Sequence, residues 1–180
     1  MRLETQRLVL RPLALDDLDD FARFVADPET MRFIGAGGTR TREQALDTLE
    51  RMMESYEARG FGQLAIVRKE DGAVMGRCGL LVWDPKTWTI TQELDGAVEI
   101  EVGYLLGRGY WGRGYATEAA MAVRDLALGE LGFKRLIALI YPDNVRSIRV
   151  AEKLGMEPDG EIELMGNRVT LYALGKIPAR

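Results

Sequence analysis

Gly107-Arg108-Gly109-Tyr110-Trp111-Gly112-Arg113-Gly114-Tyr115-Ala116 is the stretch on which the reading of this chain turns. It follows a strand pattern from Ala97 to Leu106, in which Glu99 and Glu101 share one face while Ile100, Val102 and Tyr104 take the other. It precedes a helix pattern from about Gly114 to Gly129, with Ala116, Ala119, Ala120, Val123, Leu126 and Ala127 turned inward. Gly109, Gly112 and Gly114 permit a tight turn that aims several N–H groups at one anion. The free N–H groups at a helix start add to that attraction, and Arg108 and Arg113 supply charge. The segment therefore predicts a diphosphate cradle. It is not a P-loop, because the Lys-Ser/Thr ending is missing, and no acidic ribose ligand is placed as a dinucleotide fold requires.

Downstream, Leu136 to Ile140 is continuously apolar and predicts a buried strand in a mostly parallel part of a sheet. A short helix follows Pro142-Asp143-Asn144 and ends at Gly155; Glu161 to Leu164 and Arg168 to Leu174 form a closing hairpin around Gly166-Asn167. Asn144 and Ser147 have two open readings, as ligand-binding groups or as caps of that helix. Upstream, Leu8-Val9-Leu10 is a strand closed by Arg11-Pro12. Leu15, Leu18, Phe21, Ala22 and Val25 recur at helical spacing with Asp16, Asp17, Asp19 and Asp20 toward solvent, until Asp27-Pro28 interrupts. Thr41-Arg42-Glu43-Gln44 is a capping box opening a second helix that stops near Gly60. Gln63–Val67 and Val74–Val82 read as a hairpin turned by Glu70-Asp71-Gly72. Trp88, in the loop after Asp84-Pro85, either covers a cleft or anchors the loop.

Composition narrows the chemistry. At 180 residues and 47% apolar content the chain suits one α/β domain with a substantial core. Its 24 basic and 28 acidic side chains give a formal charge of -4, so general nucleic-acid binding is not expected. There is no histidine, which removes a Ser-His-Asp triad, a Cys-His pair and a His-based metal site; no metal is expected. The single cysteine, Cys78, lies in an apolar run and reads as core. No signal peptide or membrane-spanning run is read, so a cytoplasmic protein is expected.

Two constellations carry a family resemblance. Glu101-Val102-Gly103-Tyr104 followed by Gly112-Arg113-Gly114-Tyr115-Ala116-Thr117-Glu118-Ala119 resembles the cofactor motif of the GCN5-related N-acetyltransferase (GNAT) superfamily. Asn144-x-x-Ser147 with Glu152-Lys153-Leu154-Gly155-Met156 resembles its second motif. The opening Glu4-Thr5-Gln6-Arg7-Leu8-Val9-Leu10-Arg11-Pro12-Leu13 resembles the branch that acetylates ribosomal-protein N-termini, so the likeness spans about residues 4 to 175 as one domain. It implies an α/β fold with a mixed central sheet flanked by helices and a V-shaped opening between two parallel strands. It also implies acetyl-CoA as co-substrate. Val102, Gly103, Tyr104 and Leu105 would pair with the pantetheine arm, which Asn144 would meet from the other side. The backbone from Gly109 through Tyr110, Trp111, Gly112 and Arg113 to Gly114 would hold the pyrophosphate, with Arg108 and Tyr115 beside it. Two departures stand out. Gly109 occupies a position usually held by Gln or Arg, and Ala151 stands where many members place a general-acid tyrosine. Ser147 is then the candidate for a hydrogen bond to the departing thiolate.

The expected reaction is direct attack of an amine on the thioester in a ternary complex. Glu101 is the first candidate base, directly or through water, with Glu99 in reserve. A backbone N–H near Tyr104 is the candidate oxyanion donor. Tyr104, Trp111 and Tyr141 are candidates for shaping the acceptor cleft or, equally, for packing; Glu118 reads as a support of the motif. The acceptor is a peptide N-terminus or a small-molecule amine, including an antibiotic, and the chain is expected as monomer or homodimer. The competing reading is a noncatalytic CoA-binding or interaction protein.

Overall fold

The computed structural model describes residues 2–94 and 96–175. The sheet begins with β1 (Leu3–Glu4), β2 (Leu8–Pro12), β3 (Gln63–Arg68) and β4 (Val74–Asp84), a meander of antiparallel neighbours. It continues through β6 (Glu99–Leu106), β7 (Leu136–Ile140), β9 (Asn167–Leu174) and β8 (Glu157–Leu164), with the short β5 (Thr89–Ile90) paired to β4. The strand order is β1-β2-β3-β4-β6-β7-β9-β8. Every neighbouring pair in it is antiparallel except β6 and β7. The expectation of a mostly parallel surround for Leu136–Ile140 is thus corrected: β7 is parallel to β6 on one side and antiparallel to β9 on the other. Its uniform apolarity comes from burial on both faces.

Helices cover both faces of the sheet. One side carries α1 (Leu18–Val25), the four-residue α2 (Pro28–Met31) and α3 (Arg42–Arg59). Phe21, Phe24, Leu49, Ala65 and Leu105 meet there in one apolar cluster. The other side carries α4 (Tyr115–Leu128) and α5 (Val145–Lys153), where Ala119, Ala120, Val123 and Val150 close over Leu80, Val102 and Ala138. The α3 boundaries follow from local chemistry. Thr41 accepts from the Gln44 N–H, the Gln44 side chain returns to the Thr41 N–H, and Gly60 ends the helix at φ 73°.

Two local expectations change. Asp17, expected in solvent, is buried, because Arg11 at the end of β2 grips it with Nη1 and Nη2 at 2.8 and 2.6 Å. It also accepts from the Ala14 N–H at 2.9 Å and sits in a single 3-10 turn over Leu15–Asp17. Asp27-Pro28 does interrupt the first helix, but it also starts α2: Asp27 accepts from the N–H and hydroxyl of Thr30. Trp88 packs beside Trp83, Leu164 and Val169, which favours the anchoring role. Cys78 is fully buried. Among the described residues, no helix is long and apolar enough to cross a membrane.

Candidate active site

The parallel seam decides the geometry. Strands β6 and β7 share a single registered pair, Glu101 with Ile137, and then part. The sheet therefore opens along Val102–Leu106 and the end of β7, leaving backbone of β6 unpaired on that edge. The Leu139 N–H, deprived of a strand partner by the divergence, faces Glu101 Oε1 at 3.4 Å, beyond good hydrogen-bond length. Tyr104 donates from its hydroxyl to the Ser147 carbonyl at 3.3 Å, linking β6 to α5 across the opening.

A cleft of about 680 Å³ fills this opening. Of the sequence-predicted residues, Tyr104, Leu105, Tyr110, Trp111, Gly112, Gly114, Tyr115, Asn144 and Ser147 line it. Val102, Gly103, Arg108, Gly109 and Arg113 are neighbours of that lining rather than part of it. The glycine-rich segment makes one 3-10 turn at Arg108–Tyr110, and Trp111 Nε1 ties it back to the Leu106 carbonyl at 2.7 Å. Gly112 and Gly114 then take φ of 73° and 81°, a region where side-chained residues are strained. Gly114 caps α4, so Tyr115, Ala116 and Thr117 begin that helix with N–H groups lacking an intrahelical acceptor. An anion placed here meets converging N–H dipoles.

The N-terminal segment braces this turn. Glu118 accepts from the Thr5 hydroxyl at 2.6 Å and from the Arg7 N–H and Nε at 2.8 and 2.7 Å. Arg7 also donates to the Arg113 carbonyl and lies 4.5 Å above the Tyr115 ring. The supporting role read for Glu118 therefore has a physical form. Burial alone would raise the Glu118 pKa, but these donors outweigh it and hold it below the usual range.

Asn144 takes the cap role: its side-chain oxygen accepts from the Ser147 N–H at 3.3 Å. The Ser147 side chain also meets the Tyr104 phenol, a contact that opposes the rise in the Tyr104 pKa caused by burial. Glu101 is 9% exposed, and Trp83 Nε1 donates to its Oε2 at 2.7 Å. Burial pushes its carboxyl pKa up, against the opposing pull of Trp83, the Leu139 N–H and Arg77. Glu99 is held differently, in an ion pair with Arg135 at 3.1 Å that also recruits Asp159. Tyr141 donates to the Gly35 carbonyl, and its ring lies 5.9 Å from that of Phe33, so the loop after α2 reaches the end of β7.

Sequence reading missed two contributions to the cleft. Glu29, Thr30, Arg32, Phe33 and Ile34 supply one wall, and Arg146, Arg149 and Lys153 of α5 supply cations on another. The α5 set had a signal, basic residues near helical spacing after Asn144, whereas nothing local marked the first wall. Arg146 lies 4.5 Å over the Trp111 ring.

A sequence profile described as Acetyltransferase (GNAT) domain matches residues 7–157. The chain belongs to the GNAT acetyltransferase family. It is 30% identical over 158 residues to the N-acetyltransferase p20 of Bacillus licheniformis, covering 88% of this chain and 83% of that one. The crystal structure of the acetyltransferase from Agrobacterium tumefaciens C58 is similar at TM-score 0.78 and 30% identity, over 98% of this chain and 95% of that one. The ribosomal-protein-S5-alanine acetyltransferase of Vibrio fischeri shares the fold at TM-score 0.74 and 19% identity, over 97% and 96% of the two chains. This GNAT protein is thus an acetyl-CoA-dependent acetyltransferase, and the noncatalytic alternative is set aside. The cleft fits that co-substrate in its unpaired β6 edge and the free N–H groups at the α4 start.

Proposed function

We propose that residues 4–175 form one catalytic domain that acetylates a primary amine, with the α-amine of a peptide or protein N-terminus as the favoured acceptor. The observation that carries the reading is the parting of β6 and β7 immediately after Glu101. Acetyl-CoA would lie along Val102–Leu105 with its pyrophosphate over Gly109–Gly114. Its thioester would then come to the inner end of the opening, next to a buried carboxyl.

The amine nitrogen attacks the thioester carbonyl carbon, and a β6 backbone N–H near Tyr104 receives the developing oxyanion. The carbon–sulfur bond breaks, and the Ser147 hydroxyl, beside Tyr104 in the cleft lining, donates to the departing thiolate. Glu101 takes the proton lost by the amine, directly or through water. Its raised pKa brings it closer to neutrality, which suits a base, while the Trp83 hydrogen bond keeps it oriented. Glu99, committed to Arg135, stays in reserve. The ribosomal branch resemblance rests on the opening Glu4–Leu13, a segment with a bracing contact of its own to Glu118, and the small-molecule acceptor remains the second reading.

The test is acetyl-CoA-dependent acetylation of peptides beginning with Ser or Ala, amino acids, polyamines and aminoglycosides, followed by mass shift and free thiol release. Preference for peptide α-amines is the expected result; preference for a polyamine or aminoglycoside sinks it. Glu101→Gln is expected to lower kcat about a hundredfold while acetyl-CoA binding stays within about twofold. Undiminished turnover removes Glu101 from the base role.

A further inference from the structure

Two polar side chains are buried on the sheet face that carries Glu101, and the chemistry above gives them no part. Gln63 opens β3 and is 2% exposed; Arg77 lies in β4 and is 8% exposed. An arginine offers donors only, so the Gln63 amide has to turn its oxygen toward Arg77. Arg77 Nη1 donates to Gln63 Oε1 at 2.5 Å. That contact fixes the other end of the amide, and Gln63 Nε2 faces away from Arg77. Gln63 Nε2 and Arg77 Nε are buried without a hydrogen-bond partner among the described residues. Unmet donors inside a folded protein are uncommon, and two in one cluster call for a physical account.

Gly103 locates the free amide. A Cβ at Gly103 would stand 3.6 Å from Gln63 Nε2, 3.9 Å from the Glu101 carboxyl carbon and 3.3 Å from Leu81 Cδ1. The register agrees, with Gly103 opposite Gly79 and Gly79 opposite Gln63. The Gln63 amide and the Glu101 carboxyl therefore face one small space, just past the last β6–β7 pair and on the face of β6 opposite the Tyr104 side chain. Only glycine leaves that space open.

We propose that Gln63 and Arg77 are positioning residues for acetyl transfer, with Arg77 locking the Gln63 amide and the two together holding the Glu101 carboxylate ready to receive a proton across the space above Gly103. The proposal rests on Glu101 as the base. The charged and titratable groups facing this cluster are few. Arg40, from the segment before α3, acts on Arg77 through charge alone, and the Cys78 thiol and Tyr104 phenol act from the opposite face of β4 and β6. Glu99 is neutralised by Arg135. Burial lowers the Arg77 pKa to about 10, against the pull of Glu101, so Arg77 remains a cation at neutral pH. Removing that cation takes away a favourable charge and moves Glu101 titration upward.

The test labels glutamate with ¹³C at its carboxyl carbon and follows Glu101, assigned by the signal lost in Glu101→Gln, through a pH titration. Arg77→Met is expected to raise the midpoint by about one pH unit, and Arg77→Lys to restore it. An unmoved midpoint in Arg77→Met overturns the proposal. The titration needs no acceptor, so its failure is distinct from a failure of the acceptor assignment or of Glu101→Gln to slow turnover. Gln63→Leu removes the amide, and Gly103→Ala fills the space. Each is expected to lower kcat about tenfold on the amine that wild-type protein acetylates best, and Gln63→Leu to leave the KM for acetyl-CoA unchanged. Should Arg77→Met fail to fold, unchanged kcat in both of these variants overturns the proposal.

Discussion

The two sides of β6 are built from different materials. Along its open edge and into α4 the site is made of backbone: glycines at positive φ, free N–H groups and a helix start. On the face carrying Glu101 the proposed positioning cluster is made of side chains drawn from separate strands, Gln63 from β3, Arg77 and Trp83 from β4, and Glu101 from β6 itself. A backbone cradle tolerates almost any side chain that leaves its dihedrals alone. A buried polar cluster depends on each member, because each satisfies another.

That difference can be broken or sharpened by mutation. The largest effect on acetyl-CoA affinity is expected from Gly114→Val, which forces a β-branched residue to φ 81° at a local strain of about 1–2 kcal/mol. Acetyl-CoA affinity measured by calorimetry should fall about tenfold or more, and unchanged affinity would remove this turn from the cradle. Trp83→Phe keeps the ring but takes away the donor to Glu101. The acidic limb of kcat/KM should move to higher pH, and stability in urea should fall by about 1 kcal/mol. A shift to lower pH would reverse the assigned sign.

A third measurement uses linkage. Glu101 has a folded pKa above the usual 4.5, so its favourable contribution is present below that value and is lost as pH rises through the folded pKa. Glu101→Gln does not titrate. Its Tm relative to wild type should therefore climb as pH rises from about 4.5 and level off above the folded pKa. A falling difference would show that the charge of Arg77 and the hydrogen bond from Trp83 outweigh burial. The smallest effect is expected from Glu118→Gln, which weakens but does not remove the brace to Thr5 and Arg7. A stability loss of about 0.5–1 kcal/mol and a modest rise in the acetyl-CoA dissociation constant are expected by urea titration and calorimetry.

The same contrast explains what the sequence made legible. Gly112, Gly114 and the alanine-lined helix lie within one short run, so local turn chemistry and periodicity reveal them together. The capping box at Thr41–Gln44 was readable for the same reason. Glu101 stood out through its place before the turn. Gln63, Arg77 and Trp83 carried no local mark, because they meet only through the β3–β4–β6 register. Asp17 failed in the opposite direction: helical spacing placed it in solvent, and Arg11 from β2 drew it inward. The α2 wall was hidden because a four-residue helix is too short to show a period.

The seam with one registered pair also bears on folding. With β6 and β7 joined only at Glu101 and Ile137, a ligand lying along the free β6 edge takes the place of missing strand contacts. Acetyl-CoA would then act as a folding ligand as well as a reactant, raising the apparent stability by about 2.7 kcal/mol at a hundred times its dissociation constant. The supply of acetyl-CoA would then bear on the fraction of chains that are folded as well as on the rate of turnover.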